Sequence, residues 1–101
     1  MGVMRTAWKD FTNANTYTVP VNTNPSTGGL SRYCIVVTKI RTDLVMYSYA
    51  SSTQTYSAEV LQELGKKEGA TTGLSPSYDG QNLTLSYSGK VTGGIRVILL
   101  D

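Results

Sequence analysis

Aromatic side chains with a polar tip are the one enriched class of residue that could recognise a ligand or a partner. The chain of 101 residues has seven tyrosines and one tryptophan. Such rings suit saccharide stacking and protein interfaces equally well, because each combines an apolar face with a polar group. We expect most of them to line the core or a subunit contact. The candidate ligand-binding residues are the tyrosines nearest to predicted loops, together with the tryptophan: Tyr49, Tyr56, Tyr78 and Trp8.

The remaining composition offers no recognisable set of catalytic or metal-binding residues. The absence of histidine excludes Ser-His-Asp and Cys-His catalysis and histidine-ligated zinc. The single cysteine, Cys34, excludes thiolate metal clusters and an intrachain disulfide. The seven acidic residues fall mainly in predicted turns, and although a glycosidase pair such as Asp43 and Asp79 is conceivable, no spacing singles it out. We therefore expect no enzymatic activity, no metal and no cofactor.

Size and charge limit the chain to one domain with few classes of partner. A length of 101 residues predicts a single domain over 1–101, and residues 1–6 are predicted to be a flexible N-terminal segment. The formal net charge is +2, and the basic residues are scattered singly apart from Lys66 and Lys67, so we expect no nucleic-acid partner. No apolar run is long enough to span a bilayer, and no signal-peptide core is present. These features predict a soluble chain without membrane insertion.

The segment 32–50 is the longest β-rich run, and the rest of the chain is expected to close over it. It divides at 41–43 into two extended arms, which predicts a hairpin. Tyr33, Ile35 and Val37 lie on one face of the first arm, whereas Cys34 and Val36 lie on the other. Because both faces are apolar, the strand is expected to lie inside a sandwich or at a subunit contact, with Cys34 as a buried thiol.

Several shorter strands are predicted around this hairpin. The segment 83–87 alternates between apolar and polar residues, and the apolar segment 95–100 must be paired and covered. Runs of small and polar residues separate the strands and predict a loop over 22–29 and turns over 79–82 and 89–94. The other predicted strands are 7–11, 16–21 and 74–78.

One segment, 58–64, changes its periodicity and predicts a short helix. Val60, Leu61 and Leu64 fall at helical spacing, and Gly65 can end the helix. The competing interpretation is a strand through Tyr56, Ala58, Val60 and Gln62. The whole pattern predicts an all-β fold, an antiparallel β-sandwich of the jelly-roll type with this one short helix.

Taken together, the layout resembles the C-terminal domain of a tailed-phage fibre, as in podovirus head fibres or the distal domains of tail fibres. The resemblance covers most of 7–101 and lies in pattern rather than in one diagnostic motif. It rests on an opening Trp-Lys-Asp-Phe segment, an Asn/Thr/Tyr strand before a glycine-rich loop, and Ser-Arg-Tyr entering the hairpin. It also rests on Tyr-Asp-Gly-Gln-Asn-Leu-Thr-Leu at 78–85 and Gly-Ile-Arg-Val-Ile-Leu at 94–99. A long coiled-coil or β-helical shaft is missing from the sequence.

The resemblance implies a homotrimer of sandwiches located in the virion. It implies a structural role and attachment to the host cell surface, with a surface glycan as a possible ligand. Two alternatives remain open at this point. One is a monomeric carbohydrate-binding or adhesin-type β-sandwich, and the other is a decoration protein that only cements a capsid.

Overall fold

The fold is built entirely from β-strands in the part of the chain that a computed structural model describes, residues 4–21 and 31–100, with side chains for 15–21 and 31–100. The predicted all-β class is confirmed, and these residues contain no helix. Within them, no helix is long and apolar enough to cross a membrane. The predicted loop over 22–29 and residues 1–3 lie outside the described residues. The strands are β1 (Met4–Pro20), β2 (Ser31–Thr38), β3 (Arg41–Ala50), β4 (Thr55–Lys66), β5 (Leu74–Tyr78) and β6 (Asn82–Leu100).

All six strands belong to one antiparallel sheet organised around β6. The order is β1-β6-β2-β3-β4, and β5 pairs with β6. The first part of β6 pairs with β5 and the end of β1, whereas its last part lies between β2 and the start of β1. The sheet curls so that β5 also contacts β4 and β3. The curl encloses the core: Val19, Val21, Cys34, Val36, Val45, Tyr47, Tyr78, Leu83, Leu85, Tyr87, Val91, Ile95, Val97 and Leu99.

The two longest strands each join two strands that the sequence predicts separately. The predicted turn over 89–94 is instead continuous strand within β6, with Gly93 at a φ of +92°. In β1, the predicted break between 7–11 and 16–21 coincides with register shifts between Phe11 and Thr16. Ala14 is paired with Val91 and Thr16 with Ser86, so residues 87–90 of β6 have no partner in β1, and the pairing resumes beyond them. Residues 4–6, at the end of the segment predicted to be flexible, are paired with the end of β6.

The prediction of a helix over 58–64 is wrong, and the competing strand interpretation is confirmed. The segment is part of β4, in which Tyr56, Ala58 and Val60 pack against the core. Two register shifts against β3 leave Leu61 and Leu64 without an opposite residue. Each is the extra residue of a β-bulge, so the apolar spacing that imitates a helix comes from two interruptions of a strand.

The predicted central hairpin is confirmed, although its turn lies earlier than expected. β2 and β3 are joined at 39–40, and the predicted turn over 41–43 is strand. The Thr38 hydroxyl oxygen accepts the backbone N–H groups of Ile40 at 3.2 Å and Arg41 at 3.1 Å. The same hydroxyl donates to the carbonyl oxygen of Arg41 at 3.0 Å. One side chain therefore fixes the whole turn.

A buried ion pair follows that turn. Arg41 and Asp43 are two residues apart on β3, so both side chains point to the same, inner side of the sheet. Arg41 Nε donates to Asp43 Oδ2 at 2.8 Å, and Nη2 donates to Oδ1 at 2.7 Å. Arg41 Nη1 donates to the carbonyl oxygen of Thr72 at 2.6 Å, and Nη2 lies 3.4 Å from Glu63 Oε2. The pair thus ties the segment before β5 to β3.

Candidate binding surfaces

Three of the four predicted site residues lie in one aromatic cluster. Tyr49 near the end of β3 pairs with Tyr56 near the start of β4, and their ring centroids are 4.9 Å apart. Tyr56 meets Tyr78 at the end of β5 edge to face, with centroids 5.5 Å apart. Tyr78 in turn meets the buried Tyr47 at 5.1 Å. The rings form a row that leads from the core to the surface.

Only two rings of this cluster reach solvent. Tyr49 and Tyr56 are half-buried, whereas the predicted site residue Tyr78 is only 8% exposed and its ring is part of the core. The Tyr78 hydroxyl donates to the carbonyl oxygen of Gly80 at 3.3 Å, and the Tyr56 ring lies against the same glycine. Trp8 is in β1 with its backbone opposite Arg96, and its side chain lies outside the described part of the chain. The aromatic platform therefore consists of Tyr49 and Tyr56.

A second surface is the side of the sheet that faces away from the core. We call the half-buried apolar residues on this side, together with Tyr33 at 38% exposure, the outer face. Tyr33 is paired with Leu100, and Ile35 lies between Ile98 and Leu44. These residues alternate along their strands with core residues such as Val36, so they point away from the core. The outer face comprises Tyr33, Ile35, Val37, Leu44, Met46, Ile98 and Leu100.

The two bulges of β4 extend the outer face. Val60 packs against the core, so the next residue, Leu61, points to the opposite side. Glu63 approaches Arg41 on the inner side, so Leu64 likewise points outward. Leu61 is 45% exposed and Leu64 is 48% exposed, which makes them the most exposed large apolar residues in the described part of the chain. Without the bulges, regular alternation would not place both leucines beside the outer face.

An open groove of about 420 Å³ lies at the hairpin end of the outer face. Val37 and Ile98 give it an apolar part, and the exposed residues Lys39 and Arg96 bring two positive charges. Arg96 is directly opposite Val37 on the neighbouring strand. The sequence gives little sign of this site, because Lys39 and Arg96 are far apart in the chain. Thr38 and Gly94 complete the lining.

The predicted burial of the single cysteine is confirmed. Cys34 is fully buried, and desolvation raises the pKa of its thiol from the ordinary 9.0 to about 12. At neutral pH the group is a protonated thiol, which is a poor nucleophile. Among the residues with described side chains, no group of three or more His, Cys, Asp or Glu residues could hold a metal ion. Comparison with known proteins finds no matching family, curated protein or solved structure.

Proposed function

We propose that this chain is a structural bacteriophage virion protein, the distal domain of a trimeric head or tail fibre that attaches to the host cell surface. The resemblance in sequence pattern supports the fibre assignment, and the outer face supports the assembly. In the proposed trimer the two halves of the curled sheet act as the layers of one sandwich per chain. The single observation that carries the proposal is an apolar outer face on strands whose other face is already buried in the core.

The extent of the outer face suits the centre of an interface between copies. Neighbouring strands are about 4.8 Å apart, so the outer face is roughly 15 Å wide from β6 to β4. Residues along a strand are about 3.3 Å apart, so the face is roughly 13 Å long from Tyr33 to Val37. The side chains and the two bulge leucines enlarge this area. Standard interfaces bury about 800 Å² per partner, with an apolar centre inside a polar rim. The outer face therefore matches such a centre, and polar residues around it would supply the rim.

Two edge strands of the sheet, β4 and β5, favour association through the face. β4 carries two bulges, and β5 has only five residues with Pro76 in its middle. Bulges and proline both interrupt the regular row of backbone donors and acceptors that edge-to-edge pairing requires. Copies that associate are therefore expected to use side-chain packing on the outer face and not pairing through β4 or β5.

Analytical ultracentrifugation of the unaltered chain and three single variants tests this proposal. The unaltered chain is expected to sediment as a trimer at micromolar concentration. Ile35→Lys or Leu61→Lys should give folded monomers, because each places a charge in the proposed interface. Leu61 is already 45% exposed in the isolated chain, so its replacement should spare the fold. Ser77→Lys, at an exposed position of β5, is the matched control and should remain trimeric.

A stable monomer at every concentration would contradict the assembly. So would loss of the trimer in Ser77→Lys to the same extent as in Leu61→Lys. Circular dichroism of each variant separates a folded monomer from an unfolded chain, since a folded monomer keeps the β-sheet spectrum and a cooperative thermal transition.

The second candidate function is a monomeric carbohydrate-binding or adhesin-type module. The pair formed by Tyr49 and Tyr56 supports it, because two half-buried rings side by side offer an apolar surface to a sugar ring. A glycan array is expected to give binding that Tyr49→Ala abolishes while the chain stays monomeric. An array without signal would count against this candidate.

A further inference from the structure

The groove at the hairpin end of the outer face carries two positive charges that the described residues leave without an acidic partner. Two other cations on the sheet are paired, Arg41 with Asp43 and Lys66 Nζ with Glu63 Oε2 at 3.7 Å. No such ion pair occurs for Lys39 or Arg96 within the described residues. As far as the described side chains show, both cations are thus available to a negatively charged group.

Both groove cations are carried by elements with defined hydrogen bonds. Lys39 is in the turn that the Thr38 hydroxyl fixes. Its aliphatic stem lies across Gly93, since a Cβ atom there would be 3.6 Å from Lys39 Cδ. Arg96 belongs to β6, in the middle of the sheet. A site on a strand and a fixed turn holds its charges with less loss of conformational freedom on binding than a site on a loop.

We propose that this groove binds an anionic saccharide. Val37 and Ile98 form an apolar surface for the C–H face of a pyranose ring, and Lys39 and Arg96 flank it with donors for an acidic substituent. The groove volume lies within the range of about 300–1,000 Å³ typical of ligand sites. A uronate carboxylate and a sulfate ester present the same chemistry to the two cations. The inference deepens the attachment role proposed above and rests on it for the source of the ligand.

Both charges of the groove come from one chain, and neither belongs to the tyrosine cluster. Its residues come from the turn end of β2 and the adjacent part of β6, whereas Tyr33 and Leu100 mark the opposite end of the outer face. Val37 and Ile98 belong to both the outer face and the groove, so in the assembly they lie at the edge of an interface centred on Ile35 and Leu44, with the exposed Lys39 and Arg96 at its polar rim, open to solvent.

Titration of the full chain, labelled with ¹⁵N, tests the site by NMR. Three oligosaccharides of equal length are added at low salt: an oligouronate, a sulfated oligomer and a neutral glucan. We expect the amide signals of Lys39 and Gly94 to shift with one or both anionic oligomers and to stay in place with the neutral one. Raising the salt concentration should weaken the binding, because exposed charges are screened. The two anionic arms distinguish carboxylate from sulfate recognition.

The double variant Lys39→Ser/Arg96→Ser should lose at least about tenfold in affinity, since it removes both charge-assisted contacts. Lys67→Ser/Lys90→Ser makes the same change in net charge at exposed positions that do not line the groove and should bind as the unaltered chain does. Equal loss in both double variants, equal binding of the neutral glucan, or no shift at Lys39 and Gly94 would overturn the proposal. Sedimentation of the same samples tests the trimer separately, so failure of one proposal is distinguishable from failure of the other.

Discussion

Replacing Asp43 by asparagine tests whether the buried ion pair holds the sheet together. Asp43 is fully buried and Arg41 is 9% exposed, and two hydrogen bonds of 2.7–2.8 Å join them. The hydrogen bond with Asp43 raises the pKa of Arg41, but Arg41 keeps its charge in the variant as well, because a guanidinium stays protonated in proteins even without an anionic partner. Asp43→Asn therefore leaves a buried cation that has lost its main anionic partner.

The expected cost follows from the remaining contacts of Arg41. Removing one partner of a buried ion pair costs about 3–5 kcal/mol. Thr72 and the half-exposed Glu63 still contact the guanidinium, so we expect the lower end, about 3 kcal/mol, for Asp43→Asn. For a domain of this size, 1 kcal/mol corresponds to about 4–8 °C in Tm, so the variant should melt roughly 12–24 °C lower.

Urea unfolding at pH 7, followed by circular dichroism, measures the change in unfolding free energy. Glu63→Gln is the matched control and should cost less than about 1 kcal/mol, because its carboxylate is exposed and 3.4 Å away. Arg41→Met/Asp43→Leu removes both charges and should be more stable than Asp43→Asn, since neither charge is then left unpaired in the interior. A loss below about 1 kcal/mol for Asp43→Asn, or a double variant less stable than it, would refute this reasoning.

Three further predictions concern single positions. Gly80→Ala should cost about 2–4 kcal/mol in unfolding free energy, measured by urea unfolding, because a Cβ atom there would lie 2.8 Å from the Tyr56 ring and the residue has a φ of +99°. The control Gly69→Ala, with a φ of +81° but open space around the Cβ position, should cost less. Burial raises the pKa of the Cys34 thiol from 9.0 to about 12, so the protonated thiol contributes to stability in full below pH 9. Between pH 9 and pH 12 this contribution is lost, by up to about 1.4 kcal/mol per pH unit. Cys34→Ala should lack the part of this alkaline slope that begins near pH 9, and an unchanged slope would contradict the assignment. The backbone N–H groups of Asn82 and Gln81 donate to the carboxylate of Asp79 and hold its pKa below the ordinary 3.8, so the charged form stabilises the fold above that pH. Asp79→Ala should therefore lower the urea midpoint at pH 7 and have less effect below pH 3.8, and equal effects at both pH values would argue against this role.

Strand content was predictable from the sequence wherever alternation is regular. The hairpin of β2 and β3 and the paired segments at 74–78 and 83–87 follow from period-two patterns and turn residues. The failures occur where a strand is irregular. The bulges at Leu61 and Leu64 shift the alternation twice within four residues, and such a pattern cannot be distinguished from one helical turn without knowledge of the neighbouring strand.

The candidate sites were less predictable, because they combine residues from distant segments. Closeness to predicted loops indicates Tyr49, Tyr56 and Tyr78 one by one. Tyr49 meets Tyr56 through the pairing of β3 with β4, and Tyr56 meets Tyr78 because β5 approaches β4. Arg41 and Asp43 are polar, and this polarity predicts a turn. Their spacing of two residues is the signal that could have predicted an ion pair on one side of a strand. Lys39 and Arg96 meet only through the pairing of β2 with β6.

The central position of β6 has a consequence for how the chain folds. β6 is the last strand in sequence, yet it pairs with β1, β2 and β5, and its Leu100 is opposite Met4. Such long-range contacts slow folding, because the intervening chain must be ordered before they form. Until β6 has formed its pairs, β1, β2 and β5 each have an unpaired edge. At high concentration, the last strand of one molecule can complete the sheet of another, so we expect exchange of β6 between molecules to be a misfolding route for this topology.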